Sequence, residues 1–170
     1  MSVRRVVILG STGSIGINTL KVIDRFPQRF QVVGLSAYNN LDLLARQIRT
    51  YRPTHVAVGS EGVGSLRKMF PPQRLKILNA DEDLEALAGM GTADIVVIGM
   101  RGSAALKPFL AAARCGKTIA PANKEALVIA GDIIMREAAK HKARIIPVDS
   151  EQSAIFQCLE GRDRTELKKV

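Results

Sequence analysis

The segment Ile8-Leu9-Gly10-Ser11-Thr12-Gly13-Ser14-Ile15-Gly16 constrains this chain more than any other. A short apolar run ends at Leu9, and a helical apolar pattern through Leu20 and Ile23 begins just after it. Glycines take the first, fourth and seventh places of the turn between them. Glycine permits positive φ and carries no Cβ to block a ligand that approaches the backbone. The free N–H groups of the helix start face that ligand, with the positive end of the dipole behind them. Strand, turn and helix together make the phosphate-gripping corner of a dinucleotide site. The spacing is G-x-x-G-x-x-G where G-x-G-x-x-G is usual. A tight structural turn without ligand is the competing reading.

The alternation continues downstream. Short β-branched strands are predicted near 4–9, 31–36, 54–58, 75–78, 94–99, 117–120 and 144–148. Helical patterns fall near 15–26, 41–51, 61–69, 81–88, 103–114, 124–140 and 149–159. Leu41, Leu44, Ala45 and Ile48 form a 3.6-residue stripe, and Pro27, Pro53 and Pro71-Pro72 stop helices. Strict strand–helix alternation gives an α/β fold with a doubly wound, mostly parallel sheet, a Rossmann-like domain. A dinucleotide-binding domain over 1–148 is expected, with 149–170 as the truncated start of a catalytic domain. Past Gly161 the sequence turns into a charged stretch from Arg162 to Lys169.

Composition excludes several classes. The chain has 170 residues, enough for one α/β domain and short for two. Apolar residues make up 46%, so it is globular rather than disordered. Aromatics are 4% and tryptophan is absent, against a base-stacking surface for nucleic acid. The net charge of +9 is spread over Arg4, Arg5, Arg46, Arg49, Arg52, Arg67, Lys68 and Arg74, and over Arg162, Arg164, Lys168 and Lys169. Such a field draws in anionic ligands, phosphorylated cofactors among them. Cys115 and Cys158 read as free, buried thiols of a cytoplasmic protein. Arg4 and Arg5 lead straight into the first strand, so no signal segment is expected, and no apolar run approaches membrane-spanning length.

The second strand ends in Ser36-Ala37-Tyr38-Asn39-Asn40 without a carboxylate to bind a ribose 2′-OH or repel a 2′-phosphate. Ser36, Asn39 and Asn40 can donate hydrogen bonds to that phosphate, and Tyr38 can stack on adenine. This favours NADP over NAD. Asn40 also suits an N-cap. Farther on, Asn123, Lys124 and Glu125 sit between a strand and a helix, where open α/β sheets bind ligands. Capping accounts for Asn123 and the dipole for Glu125. Neither accounts for Lys124, a cation at a helix N-terminus. Asp149-Ser150-Glu151 then places two carboxylates at the end of the last strand. They suit a divalent cation with oxygen ligands, or equally an N-cap, and two are few for a metal.

Taken together, Gly10 to Gly16, Ala122 to Glu125 and Pro147 to Glu151 followed by Ser153 to Gln157 closely resemble the 1-deoxy-D-xylulose 5-phosphate reductoisomerase family in order and spacing. The resemblance implies NADPH and Mg2+ or Mn2+ as cofactors. It implies formation of 2-C-methyl-D-erythritol 4-phosphate for isoprenoid synthesis, by retro-aldol and aldol steps followed by reduction. It places Gly10, Thr12, Gly13, Ser14 and Ile15 at the cofactor's phosphates and ribose, and Ala37, Asn39 and Asn40 by the 2′-phosphate. Asn123 and Glu125 fall near the nicotinamide side. Lys124, Ser150 and Glu151 contact substrate, Lys124 in a catalytic role, and Asp149 and Glu151 bind metal. A homodimer with a small phosphorylated substrate, and with neither nucleic acid nor membrane as partner, is implied.

The chain departs from the family at Tyr38 and Asn39, where a glycine and a basic residue are usual, and at Met100 to Ala105, which carries an unusual Arg101. Members are roughly twice as long or more, with a third metal-binding carboxylate and a helical domain, so the chain resembles their cofactor part. A metal-independent NADP-dependent reductase and a non-catalytic nucleotide-binding module are the alternatives.

Overall fold

The computed structural model describes residues 2–73 and 75–163, together with Thr165, Leu167 and Lys169. Arg74, Arg164 and Lys168, counted above among the basic residues, lie outside the described residues. The elements in chain order are β1 (Arg4–Leu9), α1 (Ser14–Arg25), β2 (Phe30–Ala37), α2 (Leu41–Tyr51), β3 (His55–Val58), α3 (Ser60–Met69), β4 (Lys76–Asn79), α4 (Leu84–Ala88), β5 (Ile95–Ile98), α5 (Leu106–Arg114), β6 (Thr118–Pro121), α6 (Lys124–Lys140), β7 (Arg144–Ile145) and α7 (Ser150–Leu159). Every described strand pairing is parallel, in the order β4-β3-β2-β1-β5-β6-β7. The strand order reverses between β1 and β5. A doubly wound sheet binds its ligand in the crevice outside the strand ends at that point.

Successive side chains of a strand point to opposite faces, so a strand covered on both sides must be apolar throughout. β1 shows this directly. Val7 and Leu9 enter one core with Val96, Ile98, Phe109 and Ile119. Val6 and Ile8 enter the other with Leu20, Leu35, Leu44 and Val97. The α2 stripe buries Leu44, Ala45 and Ile48, and Asn40 caps that helix by accepting from the Leu43 N–H at 3.1 Å. The carboxylate of Asp94 ties β1 to the start of β5. It accepts from the Arg5 backbone N–H at 2.7 Å and from the Arg5 guanidinium at 3.1 and 3.2 Å.

The predicted elements recur with a few corrections. The strand expected over 144–148 pairs only at Arg144 and Ile145. Pro147 has no N–H to give, although Ile146 and Val148 still donate to Ile119 and Pro121. The helix expected from 81 starts at Leu84, because Asn79 and Asp83 spend their side chains on a turn. The helix expected over 103–114 opens as a 3-10 turn, Ser103–Ala105, before α5. α6 is bent at Ala130, beside Gly131. Cys115 and Cys158 are free as expected, but both are exposed rather than buried. No helix among the described residues is long and apolar enough to cross a membrane.

Arg5 holds the Asp94 carboxyl below the usual carboxylate range, chiefly by side-chain hydrogen bonding. A depressed folded-state value adds stability above the unfolded value, and that stability fades as pH falls through the folded one. Asp94→Asn is therefore expected to lower the urea midpoint at pH 7, with the gap from wild type closing below about pH 4. A gap unchanged down to acid pH would assign the loss to packing instead.

Candidate cofactor cleft and adjoining carboxylates

A cleft of about 540 Å³ lies outside the carboxyl ends of β1, β2, β4 and β5. Gly10, Gly13 and Ser14 form its floor, Ala37 and Tyr38 one end, and Asp81, Met100, Arg101 and Lys107 its walls. The three glycines of the turn are there for three different reasons. Gly10 has φ +82°, which strains any other residue. A Cβ at Gly16 would stand 2.4 Å from both the Gly10 oxygen and the Ser11 Cα, so α1 can meet the turn only through glycine. Gly13 has ordinary φ, and its nearest protein atom to an added Cβ is the Gly10 oxygen at 3.5 Å. No clash within the protein excludes a side chain at 13, so the space there is open to a ligand lying against the first turn of α1. That turn has no side-chain cap, so its N–H groups are free for an anion.

Buried hydrogen bonds hold the turn in place. Ser11 Oγ donates to Gln47 Oε1 at 2.7 Å, and Gln47 Nε2 donates back to the Ser11 carbonyl at 2.9 Å. Ser36 Oγ accepts from the Gly10 N–H at 3.0 Å. Ser36 is 4% exposed and lines the cleft with its oxygen engaged by the Gly10 N–H. Ile15 turns its side chain toward Gly99, leaving its backbone N–H for a ligand. Thr12 is half-buried in the turn. Asn39 and Asn40 are exposed just past β2, Asn40 with its oxygen engaged in capping. The exposed Tyr38 ring borders the cleft, and the facing Asp81 carboxylate pushes its phenol up from the ordinary value. Asp81 is held below the usual carboxylate range by the Ser60 hydroxyl and backbone N–H.

The second constellation gathers beside the cleft, at the ends of β6 and β7. Asn123 is 2% exposed. Its oxygen caps α6 by accepting from the Ala126 N–H at 2.8 Å, and its amide donates to the carbonyls of Met100 and Gly102 at 2.9 and 3.0 Å. Both amide hydrogens are thus spent inside the protein. Lys124 and Glu125 are exposed in the first turn of α6. Asp149 occupies the N-cap position of α7 but makes no capping hydrogen bond, which leaves its carboxylate available. Ser150 Oγ donates to Glu151 Oε2 at 3.1 Å. Hydrogen bonds from its own N–H and from Ser150, with Lys124 close by, hold the Glu151 carboxyl below the usual range. Lys124 at the start of α6 thus lies near Glu151 at the start of α7. Hard oxygens with a neighbouring hydroxyl fit a divalent cation such as Mg2+ or Mn2+. The set is partial, for no three metal-ligating side chains cluster among the described residues.

Sequence reading missed Gln47 and the cleft walls at Asp81 and Lys107. The walls follow β4 and β5, so the rule that ligands sit beyond strand ends points to them.

A doubly wound sheet with its cleft at the switch point, floored by a glycine turn and uncapped helix amides, defines a Rossmann-like domain. The chain belongs to the 1-deoxy-D-xylulose 5-phosphate reductoisomerase family, whose model matches residues 6–131. The reductoisomerase of Pelotomaculum thermopropionicum is 44% identical over 169 residues, covering 98% of this chain and 44% of that protein. The chain thus spans less than half the length of the curated relatives it matches. The crystal structure of the Zymomonas mobilis enzyme in complex with NADPH superposes with a TM-score of 0.90 at 37% identity, over 98% of this chain and 44% of that one. A reductoisomerase in complex with NADPH, fosmidomycin and magnesium gives a TM-score of 0.90 at 37% identity, over 94% of this chain and 40% of that one.

The two inner glycines should separate by substitution. Gly13→Val is expected to keep the thermal unfolding midpoint near wild type while weakening NADPH at least about 100-fold, ~3 kcal/mol, in a fluorescence titration. Gly16→Ala is expected to lower stability by about 1–3 kcal/mol through overpacking.

Proposed function

We propose that this chain is the cofactor-binding part of an NADPH-dependent enzyme that rearranges and reduces 1-deoxy-D-xylulose 5-phosphate to 2-C-methyl-D-erythritol 4-phosphate, in isoprenoid synthesis. The observation that carries the reading is Gly13, a glycine that no clash within the protein requires, at the foot of a cleft in a member of this family. Under this reading the backbone N–H groups of Ser14 and Ile15 grip the cofactor's pyrophosphate. Ala37, Asn39 and Asn40 border the 2′-phosphate, and the Tyr38 ring lies against adenine. Asn123 positions the Met100–Gly102 backbone rather than donating to the cofactor, and Glu125 borders the nicotinamide side.

Asp149 and Glu151 are the residues that would hold Mg2+ or Mn2+, with Ser150 and Lys124 toward substrate. The metal supplies Lewis acidity to adjacent substrate oxygens. Lys124 is exposed, cationic and close to Glu151, which suits it to offset negative charge that develops on substrate oxygen. The depressed Glu151 carboxyl stays ionised through the neutral range, as a metal ligand must. Residues 149–170 then begin the catalytic domain. α7 buries none of its described residues, as suits a helix that packs on something beyond this sheet. The same reading makes the full-length enzyme a cytoplasmic homodimer.

NADPH is expected to bind the chain more tightly than NADH, and Asn39→Asp to reverse the order. Fluorescence titration measures both, and equal wild-type affinities would refute the assignment. In the full-length enzyme, Asp149→Asn and Glu151→Gln are each expected to cut kcat at least about 100-fold while leaving the NADPH Kd unchanged. Full turnover in either variant would remove the metal role.

A further inference from the structure

Arg101 has no task in the reading above. It stands three residues past β5, exposed, on the wall of the cleft. Among the described residues it makes no ion pair, and its side chain donates no hydrogen bond. Its backbone, by contrast, is fixed on both sides. The Asn123 amide takes the carbonyls of Met100 and Gly102, the two residues that flank Arg101, and Asn123 is itself buried and locked to α6 through Ala126. A guanidinium with five donors and no acceptor is thus mounted on a rigid base at the edge of a cavity.

Charge around that cavity is divided. Asp81, Glu82 and Glu85 stand on the wall formed by the β4–α4 connection and α4, and Arg101 and Lys107 on the β5–α5 wall. Lys107 lies 4.0 Å from Glu85. Arg101 is therefore the cation of this lining without a carboxylate partner among the described residues. The end of β5 also abuts the glycine turn. An added Cβ at Gly10 would lie 3.0 Å from the Gly99 carbonyl carbon, and one at Gly13 would lie 3.9 Å from the Gly99 oxygen. Arg101 is two residues beyond that contact.

We propose that Arg101 is a cofactor-binding residue that closes on the dinucleotide pyrophosphate from the side opposite the α1 amides. The proposal rests on the dinucleotide reading given above. A planar guanidinium binds phosphate oxygens in pairs. The acidic β4–α4 wall repels the same group, so the two walls together draw the phosphates toward β5. Pyrophosphate is common to NADPH and NADH, whereas the 2′-phosphate belongs past β2, at Asn39 and Asn40. Arg101 therefore raises affinity for both dinucleotides alike and contributes nothing to the choice between them.

The test is a fluorescence titration of the full-length protein with NADPH and with NADH, wild type first. Arg101→Ala is expected to raise both Kd values by the same factor, about tenfold, for the loss of one charge-assisted pair. Arg101→Lys, which keeps the charge without the fork, should recover part of the affinity. Raising salt to about 0.5 M should shrink the gap between wild type and Arg101→Ala. The residue is exposed, so thermal melting should be unchanged. Unaltered Kd values for both dinucleotides would overturn the proposal. A loss confined to NADPH would overturn it too, by moving Arg101 to the 2′-phosphate. A wild type that binds neither dinucleotide would defeat the cofactor reading itself, and this proposal with it.

Discussion

The reciprocal hydrogen bonds between Ser11 and Gln47 fix the turn on which the rest of the cleft depends. Both side chains are buried, at 0% and 6% exposure. A buried polar group left unpaired costs about 1–3 kcal/mol, so each residue makes the other obligatory. The pair fastens α2 to the turn after β1. Ser36 fastens β2 to the same turn through the Gly10 N–H. Gly16 then lets α1 approach until no Cβ fits. Three elements thus converge on seven residues, and the uncapped amides of α1 are held in place, free to take an anion. Their desolvation is met only by a ligand or water, which is what preorganisation means for an anion site.

Asn123 plays the corresponding part on the other side of the switch point. It caps α6 and thereby sets the helix start that carries Lys124 and Glu125. It also pins Met100 and Gly102 on the cleft wall. A single buried amide therefore registers the cofactor cleft against the substrate-side group. A movement of α6 would carry both. The five hydrogen bonds made by the side chains of Asn123 and Gln47 together leave little of either for a ligand, so both act by positioning others.

How much of this was legible in the sequence follows from which signals are local. The alternation of strands and helices, the Asn40 cap and the stop prolines are nearest-neighbour chemistry, and their positions in the structure agree within a few residues. The glycine turn was legible because conformational need is written in the residue itself. The part Ser36 plays in holding the turn was not legible, because it depends on strand pleat and on the Gly10 N–H, 26 residues away in sequence. Gln47 was invisible for a similar reason. A glutamine beside an apolar stripe reads as surface until its partner 36 residues away is known. The cysteines were expected inside because thiols usually are, yet Cys115 ends α5 and Cys158 lies on an α7 with no buried face. The β4 and β5 walls needed the strand order, which no local pattern states.

The two halves of the site use different chemistry, and the difference follows from their supports. The cofactor floor is made of backbone amides and small residues, groups that carry no titratable charge and barely move. The carboxylates of Asp149 and Glu151 stand instead at the start of α7, a helix with no fully buried residue. Ionisable side chains suit a metal and a reacting sugar phosphate, whose charge changes during reaction, whereas a pyrophosphate keeps its charge throughout. Under the proposed function, the fixed anion would lie over rigid amides and the changing one beside side chains that can adjust, so that each charge has the support it requires. Lys124 stands at the boundary, mounted on the rigid α6 start yet facing Glu151. Under the proposed function, that position sets it between the cofactor cleft and the metal-and-substrate group.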